Sequence, residues 1–244
     1  MQFRVVWDQM EACPYLNAQV ARLPLRMPLA ALSPDEFDHL LEEGERRSGR
    51  MLYRTQCPSC NACEALRVPV KRFLPTPSQE RVLRRNAADV EMEIGVPELS
   101  WERLHLYNRH KMERGLSHGD EPLTAIGYRT WLMDSCVDTR EIRYYVARRL
   151  VAVSILDFGR TSASSVYHYF DPDESRRSLG VYSVLKKIEL CASAGIEWYY
   201  LGFYVGACSR LAYKAGYWPH QRRVAGTWTE FVGREPASAR PHAP

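Results

Sequence analysis

The densest group of chemically active side chains is Cys57-Pro58-Ser59-Cys60-Asn61-Ala62-Cys63. Thiols spaced C-x2-C-x2-C can converge on one centre, and soft thiolates favour zinc or an iron–sulfur cluster over hard cations. Such centres usually take four ligands. Cys13, in Cys13-Pro14-Tyr15, lies in the same N-terminal region and is the natural fourth. The four thiols can equally be reduced side chains packed in a turn, and the spacing leaves both readings open.

Three further groups could bind or position a substrate. From Arg67 to Asn86 there are six cations (Arg67, Lys71, Arg72, Arg81, Arg84, Arg85) against one acid, Glu80. Guanidinium forks bind phosphate, so this stretch can hold a nucleic-acid backbone, although a solvated helix face has the same composition. Next comes Arg177-Ser178-Leu179-Gly180-Val181-Tyr182, where a helix start near Ser178 would offer free N–H groups to an anion. Acetyltransferases that cradle a CoA pyrophosphate use R/Q-x-x-G-x-G/A there; Tyr182 in place of the second small residue argues against acetyl-CoA as donor. The last group is Tyr199-Tyr200-Leu201-Gly202-Phe203-Tyr204 followed by Cys208 to Lys214. Its aromatics can stack on a base or position an acyl group, and Lys214 can meet a phosphate or carboxylate; a plain aromatic core looks the same.

These groups sit on a chain of 244 residues with 45% hydrophobic residues and a net charge of +4. That apolar share supports a folded core and excludes wholesale disorder. No run approaches the roughly 20 apolar residues of a membrane helix. The first residues carry no secretory signal pattern, so a cytoplasmic protein is expected. Pro14, Pro24 and Pro28 predict an irregular start. Ser33-Pro34-Asp35-Glu36 then reads as a capped helix start, with Phe37, Leu40 and Leu41 inward. Strands are expected over 51–54 and 65–70, a helix from near Ser78, and another over 98–114 with Trp101, Leu104 and Tyr107 inward. The second half predicts strands over 141–148, 150–158 and 165–170, a helix over 178–194 and a strand over 197–201. A short helix over 207–214 and a last strand over 222–228 follow. That order matches an acyl-CoA N-acyltransferase-like (GNAT-like) core. The expected class is α+β: a Cys-containing N-terminal subdomain over 1–75, a GNAT-like mixed-sheet domain over 76–228, and a disordered tail over 229–244.

Several short motifs occur in a fixed order. They are Cys13-Pro14-Tyr15, Gly44-Glu45-Arg46-Arg47-Ser48-Gly49, Tyr53-Arg54 leading into the cysteine triad, and Arg67-Val68-Pro69-Val70. Ser78-x2-Arg81 to Arg85-Asn86, Tyr169-Phe170-Asp171-Pro172, Ser178-Leu179-Gly180, Tyr200-Leu201-Gly202 and Tyr213-Lys214 follow. The ordered set, over residues 11–220, resembles the bacterial aminoacyl-tRNA–protein transferases, a family of arginyltransferases and aspartate/glutamate leucyltransferases.

The resemblance implies transfer of an amino acid, leucine favoured and arginine the alternative, from aminoacyl-tRNA. The acceptor would be the N-terminal amine of proteins beginning with Asp or Glu, marked thereby for N-degron degradation. No membrane is involved, and the chemistry requires no cofactor. Two departures bear on the donor: Thr55 stands after Tyr-Arg where Pro is common, and Lys214-Ala215-Gly216-Tyr217 replaces a more basic stretch.

An aminoacyl ester is already activated. The enzyme must bring the amine close, remove its proton and stabilise the oxyanion, by direct attack. In this scheme Arg81, Arg84 and Arg85 hold the acceptor stem, and Ser178, Gly180 and Lys214 hold the terminal phosphates. Arg46, Arg47 and Arg67 are the expected partners of the acidic acceptor. Asp171 would orient or deprotonate the amine, and Tyr200 or Tyr213 would donate to the oxyanion or ribose. Cys13, Cys57, Cys60 and Cys63 are the expected ligands of any metal or cluster. Two rivals remain on sequence alone: an acetyl-CoA-dependent N-acetyltransferase and a non-enzymatic, cysteine-rich RNA-binding module.

Overall fold

A computed structural model describes residues 1–116 and 121–233. The N-terminal region is made of strands where irregular chain was expected. β1 (Phe3–Trp7), β2 (Met10–Ala12), β3 (Val20–Arg22) and β4 (Leu25–Pro28) precede α1 (Pro34–Glu42). The prolines fall between these short strands or at the end of one, so they terminate pairing without preventing it. α1 begins with the expected capping box: Ser33 Oγ accepts from the Glu36 N–H, and the Glu36 carboxylate accepts from the Ser33 N–H at 2.9 Å. Its Phe37, Leu40 and Leu41 are buried beside Leu52 and Tyr200.

β5 (Arg46–Ser48) and β6 (Met51–Tyr53) complete a four-stranded sheet in the order β1-β4-β6-β5. β7 (Glu64–Pro69) leaves it, and α2 (Pro77–Ala87) follows behind a second capping box between Thr76 and Gln79. Thr76→Ala is expected to lower stability by about 1 kcal/mol in urea melts; an unchanged midpoint would mean that the cap does not hold this helix.

β8 (Val90–Gly95), α3 (Trp101–Glu113) and the short α4 (Ala125–Tyr128) lead into a meander of β9 (Asp138–Val146), β10 (Arg149–Phe158) and β11 (Ser162–Phe170). Then come α5 (Leu179–Ser193), β12 (Trp198–Tyr204), α6 (Ser209–Ala212), β13 (His220–Val224) and β14 (Thr227–Phe231). Three expectations change. Trp101 is 80% exposed, because the inward stripe of α3 is Arg103, Leu106, Tyr107 and His110, which leaves Trp101 on the opposite side. The single last strand is a hairpin, turning at Ala225 and Gly226 with positive φ at both. The tail expected from residue 229 starts inside β14, and its remainder from 234 lies outside the described residues.

The large sheet has eight strands in the order β14-β13-β7-β12-β11-β10-β9-β8. β7 pairs antiparallel with both β12 and β13. Thus no sheet boundary falls near residue 75, where the division between subdomains was expected. β11 and β12 form a parallel pair connected through α5. Leu179, Tyr182, Leu185 and Ile188 of α5 pack on Leu66, Val68, Tyr144 and Tyr199 of the sheet. The meander, the crossing helix and the parallel strand are the GNAT-like arrangement, and the class is α+β. Among the described residues no helix is long and apolar enough to cross a membrane.

Candidate active site

The parallel pairing of β11 and β12 stops early. Ser162, Ala163 and Ser164 pair with Trp198, Tyr199 and Tyr200, and the strands then part, although β11 continues to Phe170 and β12 to Tyr204. The result is a wedge in the middle of the sheet whose edges carry backbone groups released from the ladder. Gly202 shapes the wedge. The register of β12 on β7 shifts between Tyr200 and Gly202, and Gly202 has φ +94°, a conformation that glycine adopts without steric cost.

Three cationic side chains enter this opening. Arg46, from β5, donates to Ser164 Oγ at 2.8 Å and to the Ser165 carbonyl. Lys214, just after α6, donates to the Phe203 carbonyl at 2.8 Å. Lys187, from α5, donates to Ser165 Oγ at 3.1 Å. A Cβ on Gly202 would stand 3.1 Å from Arg46 Nη2 and 3.3 Å from Lys214 Nζ, so the missing side chain is what lets these two meet. All three are buried, and among the described residues none of them forms a salt bridge. Burial pushes the Lys187 ammonium down to about 7. Burial, reinforced by the positive charge of Arg46, does the same to Lys214. Buried cations without a counter-ion are costly unless a ligand supplies one.

Lys187 makes this cost measurable. Burial holds the folded lysine at about 7, against 10.5 for a free one. Between those values the unfolded state binds more protons, so stability rises with pH across that window. Lys187→Met is therefore expected to gain more stability at about pH 6 than at about pH 9, the two gains differing by about 2–3 kcal/mol. Urea melts at the two pH values check this; equal gains would contradict it.

The cysteine loop lies beside the wedge. Tyr53 meets Phe203 edge-on at 6.1 Å, and Tyr15 is within electrostatic reach of Tyr53, Cys63, Arg46 and Cys13. Burial, and then the neighbouring Cys13, Cys57, Cys60 and Cys208, push the Cys63 thiol up to about 12. The fold therefore brings the four expected thiols into one neighbourhood. Their donor chemistry suits zinc or an iron–sulfur cluster, yet among the described residues no three His, Cys, Asp or Glu side chains stand close enough together to hold a metal ion.

The other expected site residues are placed elsewhere. Arg47 makes a bidentate pair with buried Asp157, at 2.6 and 2.9 Å, and also donates to the carbonyls of Gly49 and Asp134. Arg67 is stacked between Trp198 at 3.9 Å and Trp228 at 4.1 Å, and donates to Tyr200 Oη at 2.9 Å. Arg67 and Tyr200 thus brace the sheet beneath α1. Asp171 accepts from Arg109 and Arg149 and from the Asp173 N–H. With both oxygens held by guanidinium groups, it braces the β11–α5 turn.

Arg81, Arg84 and Arg85 are exposed on α2. Arg84 lies 3.6 Å from Glu80, and Arg85 donates to the Arg176 carbonyl. Ser178 is left-handed at the start of α5, and a Cβ on Gly180 would lie 3.8 Å from the Phe170 ring. Tyr213 is 53% exposed near the mouth of the wedge. Sequence reasoning brought Arg46 and Lys214 to notice but missed Lys187, Ser165 and the bulge at Gly202. Two signals were available: Lys187 interrupts the apolar face of α5 between Val184 and Cys191, and Gly202 interrupts a β-prone run.

Residues 11–81 match the family described as "Arginine-tRNA-protein transferase, N terminus", and residues 102–224 match its C terminus. The aspartate/glutamate leucyltransferase of Aeromonas hydrophila is 34% identical over 216 residues, covering 88% of this chain and 90% of that protein. The protein of the same name from Hahella chejuensis is 32% identical, covering 88% of this chain and 92% of its own. Among solved structures, L-PGS from Bacillus licheniformis is similar over 59% of this chain and 47% of that one, with TM-score 0.41 and 12% identity. On this evidence the chain belongs to the arginine-tRNA-protein transferase family.

Proposed function

We propose that the protein transfers leucine from charged tRNA to the N-terminal amine of proteins that begin with Asp or Glu, marking them for degradation through the N-degron pathway. The observation that carries this reading is the buried meeting of Arg46 and Lys214 over Gly202, with no acid paired to either among the described residues. The side-chain carboxylate of an acidic first residue supplies the counter-ion that these two lack. Charge-assisted bonds to both would fix the first residue and bring its α-amine into the wedge. Charged tRNA as donor places the reaction in the cytoplasm.

The reacting amine begins as an ammonium and must lose a proton before it attacks. Lys187, through Ser165, is a buried group able to take it at neutral pH, because burial leaves its amine partly unprotonated there. The amine then attacks the ester carbonyl, a C–N bond forms, and the C–O bond to the ribose breaks. The ribose oxygen leaves with a proton. Backbone groups released where β11 and β12 part are available to the oxyanion. Leucine is favoured over arginine as donor because a guanidinium side chain would need an acidic partner, and among the described residues the wedge supplies none.

The exposed face of α2, with Arg81 and Arg84, suits the duplex acceptor stem. Cys13, Cys57, Cys60 and Cys63 would hold zinc or an iron–sulfur cluster, which would pin the 54–63 loop beside the wedge; the transfer itself uses no cofactor. Cys57→Ser combined with Cys60→Ser is expected to abolish zinc and iron in anaerobically purified protein, and a wild-type protein free of both metals would refute the centre.

The deciding experiment offers the protein labelled Leu-tRNA or Arg-tRNA with peptides starting with Asp, Glu or Ala. Leucine on the acidic peptides alone is the expected outcome. Label from Arg-tRNA instead would change the donor. No label from either, or acetylation from acetyl-CoA, would overturn the function.

A further inference from the structure

We infer that the open end of the wedge is a binding site for the single-stranded 3′ end of an RNA, built by Lys111, Arg114 and Arg210 around the ring of Phe170. The inference rests on the tRNA-dependent reading above and says where the non-duplex end of that donor lies. β11 and β12 run parallel, so both end on the same side, at Phe170 and Tyr204. The C-terminal turn of α3, the start of α5 and α6 surround that end. The Arg114 guanidinium lies over the Phe170 ring at 4.8 Å. The same ring packs edge-on against His110 at 4.6 Å and abuts Gly180 at the start of α5.

The charges here are arranged unlike those next to them. Arg109, one turn earlier on α3, is fully engaged with Glu113, Asp171 and Asp173. Among the described residues, Lys111, Arg114 and Arg210 form no salt bridge at all. The only hydrogen bond Arg210 makes there is to the Pro14 carbonyl at 3.1 Å. The dipole of α3 accounts for Lys111 and Arg114 near its C-terminus. It does not account for Arg210, which arrives from α6 and whose charge, after burial, helps hold the Lys111 ammonium below its usual range. Like charges gathered at the mouth of a cleft, unpaired with any acid among the described residues, call for a polyanion.

The neighbouring rings favour a nucleic-acid strand over a small anion. Phe170 under Arg114 is a stacked cation and ring, and Tyr213, within reach of Arg114, offers a second, half-exposed face. Bases stack on such surfaces whatever their identity, while the cations take the phosphates. The terminal ribose of a strand held here would point down the wedge toward Arg46 and Lys214.

The test uses full-length protein and two fluorescent RNA hairpins, one blunt and one with a short single-stranded 3′ extension. Wild type is expected to bind the extended hairpin at least about tenfold more tightly. Arg114→Ala with Arg210→Ala should erase that preference and leave blunt-hairpin affinity unchanged. The salt dependence for the extended RNA should fall by about 0.7 per cation removed. If the double variant unfolds, Arg114→Lys serves: it keeps the charge but loses the flat fork, and the preference should fall to an intermediate value. A preference that survives these changes, or an equal loss for both hairpins, would overturn the inference. So would variants that weaken acidic-peptide binding while RNA binding stays intact. A wild type that prefers the extended hairpin but transfers no amino acid would sink the proposed activity and leave this site standing.

Discussion

Arg46→Met is expected to lower kcat/KM for Asp- and Glu-initiated peptides by about 100-fold, equivalent to about 2.7 kcal/mol. Arg46 is the permanently charged member of the wedge, whereas Lys187 and Lys214 are held down to about 7. It alone guarantees positive charge there before an acceptor arrives. Its loss removes the attraction for the acceptor carboxylate. It also leaves Ser164 Oγ and the Ser165 carbonyl without their donor. The discriminating measurement is a ratio. Wild type should prefer Asp to Asn, and Glu to Gln, at the first position, and the variant should lose most of that preference. Equal losses on acidic and amide peptides would mean that Arg46 holds the wedge together without reading the acceptor.

The neighbouring residue is expected to behave oppositely. Arg47→Met should destabilise the fold by about 3–5 kcal/mol, because it leaves Asp157 charged and buried. Asp157 also accepts from Thr139 Oγ1 at 2.7 Å, but a hydroxyl does not neutralise it. Arg47→Met together with Asp157→Leu should recover most of the loss, since two apolar groups leave no orphaned charge. Urea midpoints of the single and double variants decide the matter. A single variant within about 1 kcal/mol of wild type would show that the pair is not holding β5 against β10. Successive residues of a strand face opposite ways, so Arg46 reaches the wedge only while Arg47 is anchored behind it.

What was legible in the sequence was mostly local. Ser33 to Glu36 carries both halves of a capping box within one turn, so α1 could be read directly; the capping box of Thr76 and Gln79 went unread, and α2 was placed only as starting near Ser78. The meander and α5 were visible because alternation and helical spacing are properties of a single segment. The roles of Arg46, Arg47 and Arg67 were not separable, because identical side chains differ here only in distant partners. Those partners are Ser164 for the first, Asp157 for the second, and Trp198 with Trp228 for the third. The wedge drew on β5, α5 and the segment after α6, and no spacing rule links them. Asp171 looked like an acid beside a ligand loop until Arg109 and Arg149 were seen to hold it.

By chain position β7 belongs with the opening third, yet its hydrogen bonds lie between β13 and β12. A cut in the loop before α2 would separate a central ribbon from both of its neighbours, leaving raw edges on either side. The two pieces would be complementary halves of one sheet rather than interchangeable modules. Chimeras spliced there from different relatives would have to match side chains across β7, and a co-expressed split pair would reassemble through that seam.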